Sequence, residues 1–349
     1  MLGTKISLKN VTILPILSFT LSSYYLVNFV FYLQYFKYST LLEFLLIGAP
    51  FIGRALTPLT YPLLVTRMSI NRVVYYSLGS MGVIDIIEYF TNSSILLLLL
   101  RILTGVLFGL STSAAVEIAT QSKSKIIIGM TMGGWALGWL LAAFITFAIG
   151  KYTLIASSFS IIFLLFSKNS NANLRLPINA RENRIAFSWE ALLIFLLGFE
   201  PAYILQIVPS LLGEELAIKE TIIAYSISFI AYLALPAIKN IRVISLVSSI
   251  IISITGFLAF ITLKTWIFIP FTVFGLGFNS LLPIIVRLMG IEVRKIGPSM
   301  NLASLSGFLI PSLVSIGNIQ ANSALLTLLT SVTLGLIILS KSIKNANEY

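Results

Sequence analysis

The sequence has no cysteine, no histidine and a single aspartate, Asp85, and only 10% of its 349 residues are charged. Without cysteine the chain forms no disulfide and no thiolate metal site, and without histidine it lacks the commonest metal ligand and general base. A nucleotide-binding loop of the glycine-rich, Lys-Ser/Thr type is also missing. We therefore expect no enzyme, no catalytic residue, no metal ion and no cofactor.

Apolar residues, in contrast, make up 58% of the chain, and the mean hydropathy is +1.00. An apolar helix needs about 20 residues to cross a bilayer, and about a dozen such runs account for nearly the whole sequence. This composition predicts an all-α integral membrane protein. The net charge of +11 is spread through short loops rather than gathered on one face, so we expect no nucleic-acid partner.

Apolar runs and the residues that break them predict twelve spans, the first of them uncleaved. These are residues 11–33, 40–65, 73–90, 94–118, 126–149, 151–167, 188–212, 220–238, 242–263, 265–290, 298–318 and 321–341. A different architecture, ten helices in two inverted five-helix repeats, is the alternative.

The basic residues are distributed very unequally over the predicted loops. If both termini lie inside, sixteen fall on the inner side. They are Lys5, Lys9, Arg67, Arg72, Lys123, Lys125, Lys168, Arg175, Arg181, Arg184, Lys239, Arg242, Arg294, Lys295, Lys341 and Lys344. Only Lys37, Lys151, Lys219 and Lys264 fall outside. Because cytoplasmic loops are enriched in Lys and Arg, this pattern predicts a multi-pass protein of the cell membrane with cytoplasmic termini.

The longest polar segment lies close to the midpoint and divides the chain into two halves. We predict a six-helix bundle over residues 1–167, a cytoplasmic loop over 168–187 and a second six-helix bundle over 188–349. Both halves start inside, which is the arrangement of a parallel repeat. The match of "NRVV" at 71–74 with "IRVI" at 241–244 is a weak trace of the same repeat.

Two segments carry a family resemblance. "RILTGVLFG" at 101–109 is similar to the fourth-helix pattern of the major facilitator superfamily, an arginine followed by spaced glycines, and "GMTMGGWALGWLLAA" at 129–143 is similar to its glycine-rich fifth helix. The resemblance implies two six-helix bundles that rock around a site near the membrane midplane. It therefore implies a secondary transporter that works by alternating access, and we expect a monomer with a small-molecule substrate.

Arg54, Arg101 and Glu200 are among the ionisable residues inside predicted spans, where an unpaired charge is costly. The resemblance implies that Arg101 faces a central cavity, where it meets an anionic substrate group or Glu200. The alternative is that Arg101 has a structural role, with its guanidinium either hydrogen-bonded to backbone carbonyls or extended towards the membrane surface by snorkelling. Arg101 and Arg54 together slightly favour a substrate with a carboxylate or phosphate. Glu200 is the candidate for proton coupling, or else forms a permanent ion pair with one of the arginines.

Glu117 lies on the same helix as Arg101, about 24 Å along the axis at 1.5 Å per residue, and therefore near the inner surface. Arg67 and Arg72 lie on that side. We predict a cytoplasmic ion-pair latch among these three residues that stabilises one of two alternating states. Gly105 and Gly109, between Arg101 and Glu117, are expected to let a neighbouring helix approach closely.

Other polar and aromatic residues within spans are weaker candidates for the cavity. They are Asn28, Trp135, Tyr203, Gln206 and Asn279. Asp85 and Glu88, one turn apart in the third span, are expected at the membrane interface instead.

The function predicted from these residues is secondary active transport of a small solute. A membrane-embedded scaffold or binding protein that has lost transport is an alternative, because "TRMSINR" at 66–72 keeps only part of the superfamily's loop motif. A membrane-embedded transferase is a less favoured one, since its chemistry generally needs histidine or paired aspartates.

Overall fold

The computed structural model describes residues 8–36, 38–169 and 185–340, and these residues form helices joined by short turns, with no strand among them. The N-terminal half contains α1 (Leu8–Leu33), α2 (Thr40–Ala55), α3 (Thr57–Val65), α4 (Ile70–Phe90), α5 (Ser94–Gln121), α6 (Lys125–Ile149), α7 (Thr153–Ala156) and α8 (Ile162–Asn169). The C-terminal half contains α9 (Trp189–Ile204), α10 (Val208–Leu212), α11 (Glu214–Ala237), α12 (Ile241–Thr262), α13 (Thr265–Gly277), α14 (Leu282–Leu288), α15 (Val293–Ala303), α16 (Ser306–Val314) and α17 (Ile319–Ser340).

Short polar side chains start many of these helices. The side chains of Ser39, Ser69, Ser93, Ser124, Ser188 and Asn240 each accept a hydrogen bond from the backbone N–H three residues further on. Such a cap satisfies one of the backbone donors that the first turn of a helix leaves unpaired. The caps therefore fix where the apolar segments begin.

Several predicted spans are broken rather than continuous. Residues 40–65 form α2 and α3, which meet at Leu56 with a bend of 51°. Residues 265–290 form α13 and α14, bent by 40° around Phe278–Ser280. In both cases a proline, Pro58 or Pro283, lies at the start of the second helix, because proline fits the first turn but cannot continue a helix that precedes it.

Six helical segments in the described part of the chain are long and apolar enough to cross a membrane, and eight if each bent pair is one span. The chain is therefore a multi-pass membrane protein. The number twelve stays a prediction. Residues 1–7, 341–349 and most of the predicted central loop, 170–184, lie outside the described residues.

Helices pack mainly within each half, α1 on α6 and α2 on α5 in the first, α12 on α17 and α11 on α13 in the second. The halves meet where α5, α3 and α2 contact α15 and where α6 contacts α11. We call the end of the molecule with the loops at 66–69, 122–124, 238–240 and 289–292 the basic end. It carries Arg67, Lys123, Lys239, Arg294 and Lys295.

The pair α2 and α5 lies so close that glycine is required on both sides. A Cβ atom on Gly53 would lie 2.0 Å from the Ile102 carbonyl oxygen, and one on Gly105 would lie 2.0 Å from the Pro50 carbonyl oxygen. Because these obstacles are backbone atoms, they cannot rotate away. The packing role expected for Gly105 follows from this contact, and small residues generally allow such approach between helices in lipid.

Gly105→Ala is therefore expected to lower the free energy of unfolding by about 1–3 kcal/mol, the usual cost of overpacking. Gly335→Ala is the matched control, since its Cβ would meet only Ser249 at an ordinary 3.6 Å. The control should leave stability unchanged or slightly higher, because alanine favours helix. Thermal unfolding of both purified variants in detergent tests this, and equal melting temperatures would contradict it.

Candidate functional site

Arg54 lies at the last turn of α2, buried between the two halves of the protein. Its Nε donates a hydrogen bond to Oδ1 of Asn301 on α15, at 3.0 Å. The hydroxyl of Tyr203 on α9 also interacts with the guanidinium. A residue of the N-terminal half is thus held by two residues of the C-terminal half.

Asn301 uses its whole side chain in this contact. Its Nδ2 has two N–H donors and lies within hydrogen-bonding distance of four acceptors, the Gly109 carbonyl at 3.1 Å, Thr112 Oγ1 at 3.1 Å, Ser113 Oγ at 3.0 Å and the Gly297 carbonyl at 3.1 Å. Such a buried amide is stable only because its polar atoms are satisfied. The close approach that this needs is possible because Gly297 has no side chain, since a Cβ there would lie 2.5 Å from the Cα of Ser113.

Aromatic rings enclose the same guanidinium. Its Cζ lies 4.3 Å from the ring centre of Phe108 and 5.8 Å from that of Phe51. Phe51 contacts Tyr203 edge to face at 5.6 Å, and Phe108 contacts Trp135 at 6.3 Å. The attraction of a cation to an aromatic face compensates part of the cost of burying Arg54. We call Arg54, Asn301, Tyr203, Phe51 and Phe108 the central cluster.

A second contact between the halves lies at the basic end. Oε1 of Glu117 is 3.7 Å from Nε of Arg294 on α15, and Oε2 accepts a hydrogen bond of 2.7 Å from the Tyr61 hydroxyl. The ion pair expected for Glu117 therefore exists, but its cation comes from the other half. The cation that pairs with Glu117 is thus Arg294, rather than the predicted Arg67 or Arg72.

Arg101 lies inside the N-terminal half and does not contact Glu200. Its Nη2 donates to the Leu26 carbonyl at 2.8 Å and its Nε to the Leu46 carbonyl at 3.4 Å, while Nη1 lies 3.7 Å from Oε2 of Glu88. The guanidinium also covers the ring of Phe29 at 4.3 Å. The expectation of a cavity-facing arginine is corrected to the alternative, a structural arginine satisfied by carbonyls, because α1, α2 and α4 surround it.

Asp85 and Glu88 are fully buried, which corrects their expected place at the membrane interface. Ser157 Oγ donates to Asp85 Oδ2 at 2.6 Å, and Asn28 donates to Ser157 Oγ at 3.2 Å and to the Thr153 carbonyl at 3.0 Å. The predicted cavity residue Asn28 thus belongs to a polar network inside the N-terminal half. These hydrogen bonds tie α1 and α4 to the irregular segment after α6.

Glu200 faces α17 within the C-terminal half. Thr327 Oγ1 donates to its Oε1 at 3.1 Å and Thr330 Oγ1 to its Oε2 at 2.9 Å. No Lys or Arg of the described segments pairs with it, so the predicted ion pair with an arginine is absent there. An ionised carboxylate that is buried without a cation is costly, and binding a proton removes that cost. The protonation of Glu200 is therefore tied to its burial.

The remaining predicted residues are scattered. Trp135 is half-buried and packs against the apolar cores of both halves, whereas Gln206 is exposed. Asn279 is buried beside Tyr232 within the C-terminal half. Throughout the ranges that the structure describes, no three acidic side chains come close enough together to hold a metal ion.

Sequence reasoning missed the residues that complete these sites. Asn301 was a detectable signal, since it is an amide inside the predicted eleventh span, as unusual there as Arg54 in the second. Arg294 was counted only as a loop charge, because it precedes the predicted start of that span at 298. Thr327 and Thr330 gave no signal, because the hydroxyl of a threonine in a helix commonly donates a hydrogen bond to a backbone carbonyl of the same helix.

Arg101→Met is expected to lower the free energy of unfolding by about 3–5 kcal/mol, because it leaves the Glu88 carboxylate buried without its cation. The double variant Arg101→Met with Glu88→Met should recover much of this loss. Glu292→Gln, which breaks an exposed pair with Lys295 at 3.4 Å, is the control and should change little. If the double variant unfolds as easily as the single one in thermal melts, the ion pair with Glu88 is not the reason for an arginine at position 101.

No protein-family model matches the sequence, and no curated protein matches it either. The structure, however, is similar to that of the major facilitator superfamily proton:xylose symporter XylE bound to 6-bromo-6-deoxy-D-glucose. The similarity has a TM-score of 0.70 with 12% sequence identity, and it covers 97% of this chain and 98% of that one. The agreement thus extends over both halves, and the chain has the fold of the major facilitator superfamily.

Proposed function

We propose that this protein is a secondary transporter that moves a small solute across the membrane by alternating access. The observation that carries the proposal is the central cluster, in which Arg54 of one half is held by Asn301 and Tyr203 of the other. Polar side chains buried between two bundles are where such a transporter binds its substrate. The full-length likeness to a symporter supports the same function.

The proposed architecture is a monomer with twelve spans, residues 1–167 and 188–349 forming two bundles joined by 168–187. In this arrangement five pairs of consecutive helices each form one span. They are α2 with α3, α7 with α8, α9 with α10, α13 with α14, and α15 with α16. The basic end is cytoplasmic, as are both termini, because positively charged loops are retained on that side of the cell membrane.

Within this cycle, Glu117 and Arg294 act as the latch at the basic end. Their ion pair joins α5 to α15 in the conformation described, and Tyr61 holds the carboxylate in place. Opening toward the cytoplasm separates these helices and breaks the pair. An attraction present in one state only shifts the balance between the two states by its own free energy.

Glu117→Gln is therefore expected to shift the population toward the state open at the basic end. A single cysteine at Ser113, buried against Gly297 on α15, should then react faster with an impermeant thiol reagent added from that side. Because the natural chain has no cysteine, no other thiol interferes.

Cysteines at Lys151 and Asn173 identify the two sides in the same membranes, with labelling only from outside at the first and only from inside at the second. Lys239→Gln, which neutralises an exposed charge at the basic end, is the control and should not alter the rate at Ser113. An unchanged rate in Glu117→Gln would eliminate the latch, and labelling of both marker cysteines from one side would eliminate the twelve-span topology.

Glu200 is the proposed site of proton coupling. Two threonine hydroxyls of α17 hold its carboxyl group, and no basic residue of the described chain is paired with it. A proton is then the partner that allows the carboxyl group to stay in the apolar bundle, and in this proposal its uptake and release are linked to the transport cycle.

Glu200→Gln is expected to abolish uphill transport driven by a proton gradient and to flatten the dependence of transport on pH, while downhill exchange continues. Uptake into proteoliposomes with an imposed pH gradient measures both. Glu292→Gln serves again as the control. A Glu200→Gln protein that still accumulates solute against its gradient would show that coupling resides elsewhere.

A further inference from the structure

The two arginines buried in the membrane region differ in how their charge is balanced. Arg101 has the Glu88 carboxylate at 3.7 Å and is fully buried, whereas Arg54 is 4% exposed. Among the residues that the structure describes, no carboxylate forms an ion pair with Arg54. The positive charge of Arg54 is therefore left for a partner that is not one of these residues.

The donors of Arg54 lead to the same conclusion. A guanidinium has five N–H donors, and the hydrogen bond to Asn301 uses the one on Nε. Tyr203 interacts with the group as well, but its hydroxyl is a neutral partner. The two terminal nitrogens carry the other four donors, the arrangement with which arginine binds a planar carboxylate through two parallel hydrogen bonds.

The surroundings limit the kind of anion. Within the described residues the central cluster contains one positive charge, which matches a monoanion better than a doubly charged phosphate. The rings of Phe51 and Phe108 lie beside the guanidinium, and Trp135 adjoins Phe108. These rings favour an apolar or planar body attached to the charged group.

We propose that Arg54 binds the carboxylate of the transported solute, and that this solute is a monocarboxylate with an apolar or aromatic body. The inference rests on the transport function proposed above and specifies its substrate class. It also explains why the two halves meet at Arg54. When Asn301 and Tyr203 move with the C-terminal half, the bound carboxylate takes over hydrogen bonds that they release.

Binding to the purified full-length protein in detergent tests the charge requirement. The probes are benzoate and octanoate, each compared with its neutral amide, benzamide or octanamide, and with acetate as the charged group alone. We expect thermal stabilisation by both carboxylates, weaker stabilisation by acetate and none by the amides, since a ligand that binds the folded state stabilises it. Equal effects of carboxylate and amide would overturn the inference.

Variants of Arg54 test the assigned residue. Arg54→Gln should weaken benzoate binding about ten- to a hundredfold, the usual loss for a charge-assisted hydrogen bond, and Arg54→Lys should retain part of the affinity. Arg287→Gln, which removes a half-buried arginine near the basic end, is the matched control and should bind normally. If Arg54→Gln does not fold, the comparison of carboxylates with amides in the unaltered protein still decides the charge requirement.

Transport assays separate this inference from the proposed function. Uptake of radiolabelled benzoate into proteoliposomes that requires Arg54 supports both. Uptake of a neutral solute that is unaffected by Arg54→Gln would overturn the inference and leave the transport function intact. Arg54-dependent binding of benzoate, with no uptake of any solute, would support the site and overturn transport.

Discussion

A polar or charged side chain inside a bilayer is costly unless it finds a partner within the protein, because hydrocarbon offers none. This constraint accounts for the main polar contacts of the structure. Arg101 pairs with Glu88 and donates hydrogen bonds to two backbone carbonyls. Glu200 accepts hydrogen bonds from two threonine hydroxyls, and Asn301 lies among several acceptors on α5. Each set of partners comes from different helices, so these contacts determine which helices are neighbours.

The location of the partners separates structural groups from groups that can take part in movement. Arg101 and Glu88 both lie in the N-terminal half, so their contact persists when the halves move as rigid bodies. Arg54 with Asn301 and Glu117 with Arg294 join different halves, and their contacts must change whenever the halves separate. Glycines at the same boundary allow the helices to approach without interlocking side chains. Contacts of this kind would differ between two arrangements of the halves, which is what the proposed alternating access requires.

Much of the fold was predictable because its signals are local. The apolar runs indicated where the helices lie, whereas the breaks beside Pro58 and Pro283, inside the predicted spans 40–65 and 265–290, were not predicted. The fourth- and fifth-helix glycine patterns indicated the superfamily fold that the structural similarity supports. Arg54, Arg101, Glu117 and Glu200 were recognisable as important because an ionisable residue in an apolar run is costly wherever it occurs.

The sequence by itself determined that this chain spans the membrane several times, which end is basic, and which few residues carry buried charge. These properties depend on composition and on position along the chain. Only the tertiary structure decided the partners: Arg101 with Glu88 rather than Glu200, Glu117 with Arg294 rather than Arg67, and Arg54 with Asn301. The physical reason is that a partner is selected by helix packing over separations of up to 247 residues, and hydrophobic periodicity does not report which faces meet.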